Sequence, residues 1–292
     1  MIGLTGATGF VGGRLLARFK QDGKEVRCLT RRPDALEQCD AVRADVLEPE
    51  TLLPALEDVE VAYYLVHAIG EATGFKETEA EGARNFADAA REAGVERIVY
   101  LGGLAHGDEL SDHMRSRHEV GRLLAATGVE VIEFRASVVI GPGSLSYELI
   151  RKLVDRSPVV VLPSWADTRA QPIAIDDVIE YLARAADADA QGGVYEIGGP
   201  DTLTYRDLVS AYAEESGQVR PHIRVPVPQP VLSSEDLPSL LTRLIPGEGR
   251  AAVKLLESLR FDSTVSTDAA EVFDVQPRGV REALRAALQM QP

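Results

Sequence analysis

Cysteine is nearly absent from this chain: 292 residues contain two, Cys28 and Cys39. The pair lacks C-x-x-C spacing and can close at most one bridge, which excludes a disulfide framework and points to a reduced, cytosolic protein. Cys28 lies inside an apolar run and reads as a small core residue. Long hydrophobic runs are missing too; none approaches the about 20 residues that a membrane-spanning helix needs. Cations are in deficit, with 31 Lys and Arg against 46 Asp and Glu and a formal net charge of -15. That balance argues against a nucleic-acid or anionic-membrane surface, and an acidic shell is read here as a solubility feature. A strand is expected from residue 2, leaving no room for a signal peptide. A soluble, cytoplasmic protein is the expectation.

What is present is ordinary for a globular chain: 45% hydrophobic and 26% charged residues. The length supports one large domain or two fused lobes. The most informative stretch opens the sequence. Ile2 and Leu4 form a short apolar run that leads into Gly6-x-x-Gly9-x-x-Gly12, and Val11, Leu15 and Phe19 then recur one helical turn apart. In such a strand–turn–helix context Gly6 permits the tight turn. Gly9 lets the backbone approach a pyrophosphate, and Gly12 allows close packing of helix on sheet. The first-turn N–H groups and the positive end of the helix dipole would face the phosphates. The alternative is a glycine-rich turn that binds nothing.

The pattern continues with strands at Glu25–Thr30, Asp40–Asp45, Val59–Val66, Arg97–Leu101 and Val129–Phe134. Helices are expected from Phe75 to Ala93, closed by Gly94, and from His113 to Thr127, closed by Gly128. Strands alternating with helices require parallel pairing and right-handed crossovers. The expected fold is therefore α/β: a Rossmann-type, doubly wound parallel sheet over residues 1–142, with a smaller C-terminal α/β lobe over 143–292. In that lobe Val159–Leu162 and Val194–Ile197 read as strands. Asp177–Ala188, Tyr205–Glu215 and Val280–Leu288 read as helices, and the proline-rich 221–246 stretch as extended chain.

The end of the second strand bears on nucleotide choice. An acidic residue there would favour NAD(H); this chain has Thr30-Arg31-Arg32-Pro33. Two guanidiniums that can fork onto a phosphate favour NADP(H) over NAD(H), unless they are simply solvated surface arginines. The cluster His106…Asp108…Asp112-His113…His118 fits no common ligand spacing, so no metal is expected. Ser144 lacks the G-x-S-x-G frame of a nucleophile elbow.

The spacing T-G-A-T-G-F-V-G over residues 5–12 resembles the signature of extended and atypical short-chain dehydrogenases/reductases. Further phrases narrow the resemblance to NmrA-like members and to the accessory nucleotide-binding subunit of respiratory complex I. They are Tyr63-Tyr-Leu-Val-His-Ala68, Tyr100-Leu-Gly-Gly-Leu104, Leu110–Gly121, Phe134–Gly143, Gln171–Val178 and Tyr195–Pro200. The resemblance implies that Thr8, Phe10 and Val11 line the nucleotide site with the three glycines. It places Asp45 and Val46 at adenine and His67 and Ala68 near the nicotinamide ribose. It also puts Gly102 and Ala136-Ser137-Val138 at the nicotinamide end, and Gln171, Pro172 and Tyr147 toward a pocket of the second lobe.

The superfamily's Ser and Tyr-x-x-x-Lys are replaced. The Ser falls on Gly102-Gly103, the Tyr on His113 and the Lys on Arg117. His113 can still shuttle a proton near neutral pH. Arg117 can bind ribose or phosphate but cannot act as a base. Two readings follow. One is NADPH-dependent reduction of a small, apolar carbonyl or quinone-like substrate, with the proton from His113 or water. The other is a non-catalytic NADP(H)-binding sensor or assembly factor. Sugar-nucleotide epimerisation stands third, because it too relies on the Tyr.

Overall fold

The structure is a computed structural model that describes residues 1–36, 39–67, 75–107, 110–156, 159–218, 220–225, 253, 255, 257–267 and 269–290. Its first half alternates as the sequence predicts: β1 (Ile2–Thr5), α1 (Phe10–Gln21), β2 (Val26–Thr30), β3 (Asp40–Arg43), α2 (Leu52–Ala55), β4 (Val61–Tyr64), α3 (Phe75–Ala93), β5 (Arg97–Gly103), α4 (Asp112–Ala125) and β6 (Glu130–Ala136). Helices α3 and α4 run into Gly94 and Gly128, both left-handed. The strands are short, apolar and β-branched, and every pairing among them is parallel. Neighbouring residues on each strand therefore sort to opposite faces. Cys28, Tyr63, Val99 and Ile132 enter one core with Leu15 and Phe19 of α1. Leu29, Tyr64, Ile98 and Val131 enter the other, with Phe86 of α3 and Leu124 of α4. This is the doubly wound sheet, covered on both faces.

The chain then forms β7 (Val139–Ile140), α5 (Leu145–Arg156), β8 (Val160–Pro163), β9 (Arg169–Ala170), β10 (Ile173–Ala174), α6 (Ile175–Arg184), β11 (Gly193–Ile197), β12 (Leu203–Thr204), α7 (Tyr205–Glu215), β13 (His222–Val225), α8 (Ala270–Phe273) and α9 (Val280–Gln289). Helix α5 and the two-residue strands were not expected. Strand β11 was expected as a strand, and its place is a finding: it pairs in parallel with β6 and completes a seven-stranded sheet of order β11-β6-β5-β4-β1-β2-β3. A third core, around Tyr147, Tyr205, Tyr212 and Leu284, joins α5, α7 and α9. The expected extended chain at 221–246 lies largely outside the described residues.

Strand order reverses between β1 and β4, so the crevice at their carboxyl ends is the topological switch point where such sheets bind ligands. Beside it α4 packs very close to the sheet. Glu133 of β6 is 4% exposed and paired with Arg135 at 2.7 Å, and it lies against Gly121. Burial pushes the Glu133 carboxyl above its usual range, while Arg135 pulls it back. A Cβ at position 121 would overlap that carboxylate. Gly121→Ala is expected to cost about 1–3 kcal/mol in denaturant unfolding; an unchanged midpoint would mean that α4 has room to move.

Candidate functional site

The cleft starts where β1 ends. Gly6 is left-handed, φ +68°, and a Cβ there would stand 2.5 Å from the Leu65 carbonyl oxygen. Its carbonyl accepts from the Gly9 amide at 2.8 Å, closing the turn. At Gly12 the helix comes so near that a Cβ would fall within 3.0 Å of the Gly6 carbonyl oxygen. Gly9 precedes α1, which has no side-chain cap and no acidic residue in its first turn. First-turn amides lack helical partners, so this end of α1 presents unanswered donors and positive dipole to the cleft.

The cleft encloses about 490 Å³. Gly6, Thr8, Gly9, Phe10, Val11 and Gly12 form one wall; Arg31, Asp45, Val46, His67 and Arg117 line it from the ends of β2, β3 and β4 and from α4. Asn85 holds Val46 in place by donating to its carbonyl at 2.8 Å. The glycine cradle, the uncapped helix and this run of residues fit an extended dinucleotide, its pyrophosphate at the loop.

Other predicted residues do not line this cleft. Arg32 is exposed beside it, its backbone amide 3.3 Å from Thr30 Oγ1. Gly102 lies within β5, and Ala136 ends β6 buried. Ser137 Oγ is 2.7 Å from Ser263 Oγ, and Val138 belongs to the third core. Ala68 lies outside the described residues. Gln171 ties 171–199 together, donating to the Gly199 carbonyl and accepting from the Val265 amide.

Arg117 and His113, four apart on α4, part company. The Arg117 Nη2 donates to the Leu101 carbonyl, and its guanidinium lies 5.7 Å from the Tyr100 ring centre. His113 is 5% exposed and set behind His67, with ring centres 5.1 Å apart. His67 is the member of that pair that lines the cleft. Its Nδ1 lies 2.5 Å from Oε1 of Glu79, a 7%-exposed carboxylate on α3. Ser116 on α4 donates to the other Glu79 oxygen. The cleft also holds tyrosines, but Tyr100 is no substitute for the superfamily's acid/base. Its hydroxyl donates to the Arg117 carbonyl at 3.1 Å, and burial pushes it up to about 12.

Glu79 was not predicted. It is one of several acids on α3, and its sequence neighbourhood does not distinguish it from the exposed Glu77 and Glu81. His118 sits apart, 3.1 Å from the Gly103 carbonyl; burial and then Arg135 lower it below its ordinary value. Among the described residues no group of three or more His, Cys, Asp or Glu side chains could hold a metal ion. Among them, too, no helix is long and apolar enough to cross a membrane.

Comparison with known proteins bears on what the cleft holds. Residues 6–137 match a family model described as NAD(P)H-binding. Ceramide reductase of Caulobacter vibrioides is 28% identical over 238 residues, 78% of this chain and 74% of that protein. An uncharacterised protein of Mycobacterium tuberculosis is also 28% identical, over 79% of this chain, which spans about a quarter (24%) of that longer relative. Among solved structures, an NADPH-dependent quinone oxidoreductase of Escherichia coli, complexed with NADPH, superposes with TM-score 0.75. It is 20% identical and covers 99% of this chain and 100% of its own. A nucleoside-diphosphate-sugar epimerase of Staphylococcus aureus superposes with TM-score 0.74 at 18% identity, covering 97% and 99%. At these identities the solved structures share the fold.

Proposed function

We propose that this chain, which resembles the atypical, NmrA-like branch of the extended short-chain dehydrogenases/reductases, is an NADPH-dependent reductase of a small, largely apolar carbonyl or quinone-like substrate. The match of residues 6–137 to an NAD(P)H-binding family model supports the dinucleotide; the choice of NADPH and the substrate are our reading. One observation carries it. The glycine loop shares its cleft with Arg31, and β2 ends at Thr30 and is followed by Arg31-Arg32 where a ribose-binding carboxylate would select NAD(H). Arg31, with Arg32 exposed beside the cleft, would hold a 2′-phosphate, the α1 N-terminus the pyrophosphate, Asp45 and Val46 the adenine, and Arg117 the nicotinamide ribose. When bound, the reduced nicotinamide supplies a hydride to the substrate carbonyl carbon. Arg117 holds charge without exchanging a proton, and the Tyr100 hydroxyl is committed, so protonation falls to the imidazoles of His67 and His113 or to water. The relative named ceramide reductase supports a reductase.

Calorimetric titration with NADPH, NADP⁺, NADH and NAD⁺ tests this. The phosphorylated forms are expected to bind more tightly. Arg31→Ala should weaken them about 10- to 150-fold, the worth of a charged hydrogen bond at about 1.5–3 kcal/mol, and leave NADH nearly unchanged. Equal binding of all four forms would remove the NADPH assignment. The replaced Ser, Tyr and Lys favour a second reading, a non-catalytic NADP(H) sensor. That reading predicts unequal binding of oxidised and reduced forms with no NADPH consumption.

A further inference from the structure

We infer that His67, not His113, delivers the proton in the cleft, and that buried Glu79, fixed by Ser116, is the residue that positions it. The inference rests on the reductase reading above and assigns roles that the superfamily's Ser-Tyr-Lys pattern does not contain. Three elements converge here: the segment after β4 carries His67, α3 carries Glu79, and α4 carries Ser116 and His113. Both Glu79 oxygens are engaged, Oε1 by His67 Nδ1 and Oε2 by the Ser116 hydroxyl. A carboxylate held at both oxygens cannot rotate away from the imidazole. Burying it is costly unless it is paired and hydrogen-bonded. Both conditions are met, by His67 after β4 and by Ser116 on α4.

A carboxylate at Nδ1 selects the tautomer and ring orientation and stabilises the imidazolium, as an orienting acid does for any histidine general acid/base. Proton exchange is then assigned to Nε2, on the opposite edge of the ring. His113 is four residues before Arg117 and suggests itself from the sequence, but it is buried behind His67 and does not line the cleft. Its ring, inclined 36° to that of His67, limits how far the His67 ring can swing.

The proton balance is direct. As hydride reaches the carbonyl carbon, the C=O π pair moves to oxygen, and Nε2–H of the His67 imidazolium gives its proton to that oxygen. The imidazole left behind is neutral and keeps Nδ1–H donated to Glu79; water returns the lost proton. The charged and titratable groups that face this step are Glu79 from α3, His113 and Arg117 from α4, and Tyr64 of β4 and Tyr100 of β5, whose hydroxyls burial and the Glu79 charge push up.

Two readouts test the assignment. The first needs no turnover: proton NMR of ¹⁵N-histidine-labelled protein should show a downfield Nδ1–H resonance from His67. It should be absent in His67→Gln, move upfield in Glu79→Gln and persist in His113→Gln. The second is NADPH consumption with benzil and with 1,4-naphthoquinone as probes. In His67→Gln, kcat should fall about 100-fold or more, the scale of a lost general acid, with a thermal unfolding midpoint near the wild-type value as the folding control. Glu79→Gln should displace the pH profile of kcat, and Glu79→Asp should restore much of the rate. A resonance that ignores Glu79→Gln, or a His67→Gln enzyme as fast as wild type while His113→Gln is slow, overturns the assignment and leaves the reductase reading standing. Wild-type protein that binds NADPH yet reduces neither probe overturns the reductase reading, and this assignment with it.

Discussion

Gly12→Ala is expected to lose dinucleotide binding by about 100-fold or more and to lose stability as well, whereas Gly9→Ala loses binding alone. The contrast comes from what each Cβ would meet. At position 12 it would fall well inside 3.0 Å of the Gly6 carbonyl oxygen and carbon, with the Ala7 amide nitrogen close by. These are backbone atoms of the turn itself and cannot rotate aside, so the start of α1 must shift off β1. Gly6 cannot follow easily: it is left-handed and pressed on Leu65, a conformation that costs other residues about 1–2 kcal/mol. At position 9 the backbone is extended (φ -84°, ψ 175°), so a side chain adds no backbone strain. The Gly6 carbonyl oxygen at 3.2 Å is its nearest neighbour. That methyl would occupy the space that a pyrophosphate needs against the first-turn amides. Calorimetry with NADPH beside thermal unfolding separates the two variants. Wild-type affinity in Gly9→Ala would show that the loop is scaffold only, and the nucleotide assignments of Arg31, Asp45 and Arg117 would lose their anchor.

This loop was legible in the sequence because its meaning is local. Three glycines at fixed spacing, an apolar run before them and a helical period after them all constrain the same twelve residues. The same holds for α3 and α4, whose apolar spacing and terminal glycines mark both ends. Local signals fail where partners are distant. Nothing in Gly-Val-Tyr-Glu-Ile at 193–197 says that it pairs with Ile132 to Ala136 rather than with a strand of the C-terminal half. Helix α5 was obscured because it follows Gly141-Pro-Gly143 and the apolar spacing of Leu145, Ile150, Leu153 and Val154 is interrupted by charges. At the site, His113 and Arg117 share one side of α4, as their four-residue spacing implies, but Arg117 lines the cleft and His113 is buried against His67. Which of them reaches the cleft was decided by His67 and Glu79, arriving from two other elements. A buried acid on a helix full of acids leaves no mark in the sequence; only packing of α3 against α4 singles out Glu79.

Phe134→Ala should be the most damaging single truncation away from the cleft, at about 3–5 kcal/mol. Phe134 is fully buried, and its ring meets Phe273 at 4.8 Å and 65°, Tyr181 at 5.7 Å and Tyr195 at 6.3 Å. Those partners lie on α8, α6 and β11, so one side chain of β6 joins the sheet to three later segments of the chain. Truncation removes apolar burial and, with it, one edge-on and two tilted aromatic contacts, such pairs being worth about 0.5–1.5 kcal/mol each. Against a typical total of about 5–15 kcal/mol, the unfolding midpoint should fall by roughly 10 °C. Phe134 does not line the cleft, so nucleotide affinity in the folded variant should stay at the wild-type value. NADPH at about 100 times its dissociation constant then returns about 2.7 kcal/mol, in wild type and variant alike. The measurement is a pair of thermal scans with and without NADPH. An unmoved midpoint in Phe134→Ala would refute the packing account. A ligand shift present in wild type but missing in the variant would show that the aromatic cluster also holds the cleft in shape, because binding energy that depends on a remote core residue must pass through the strands between them.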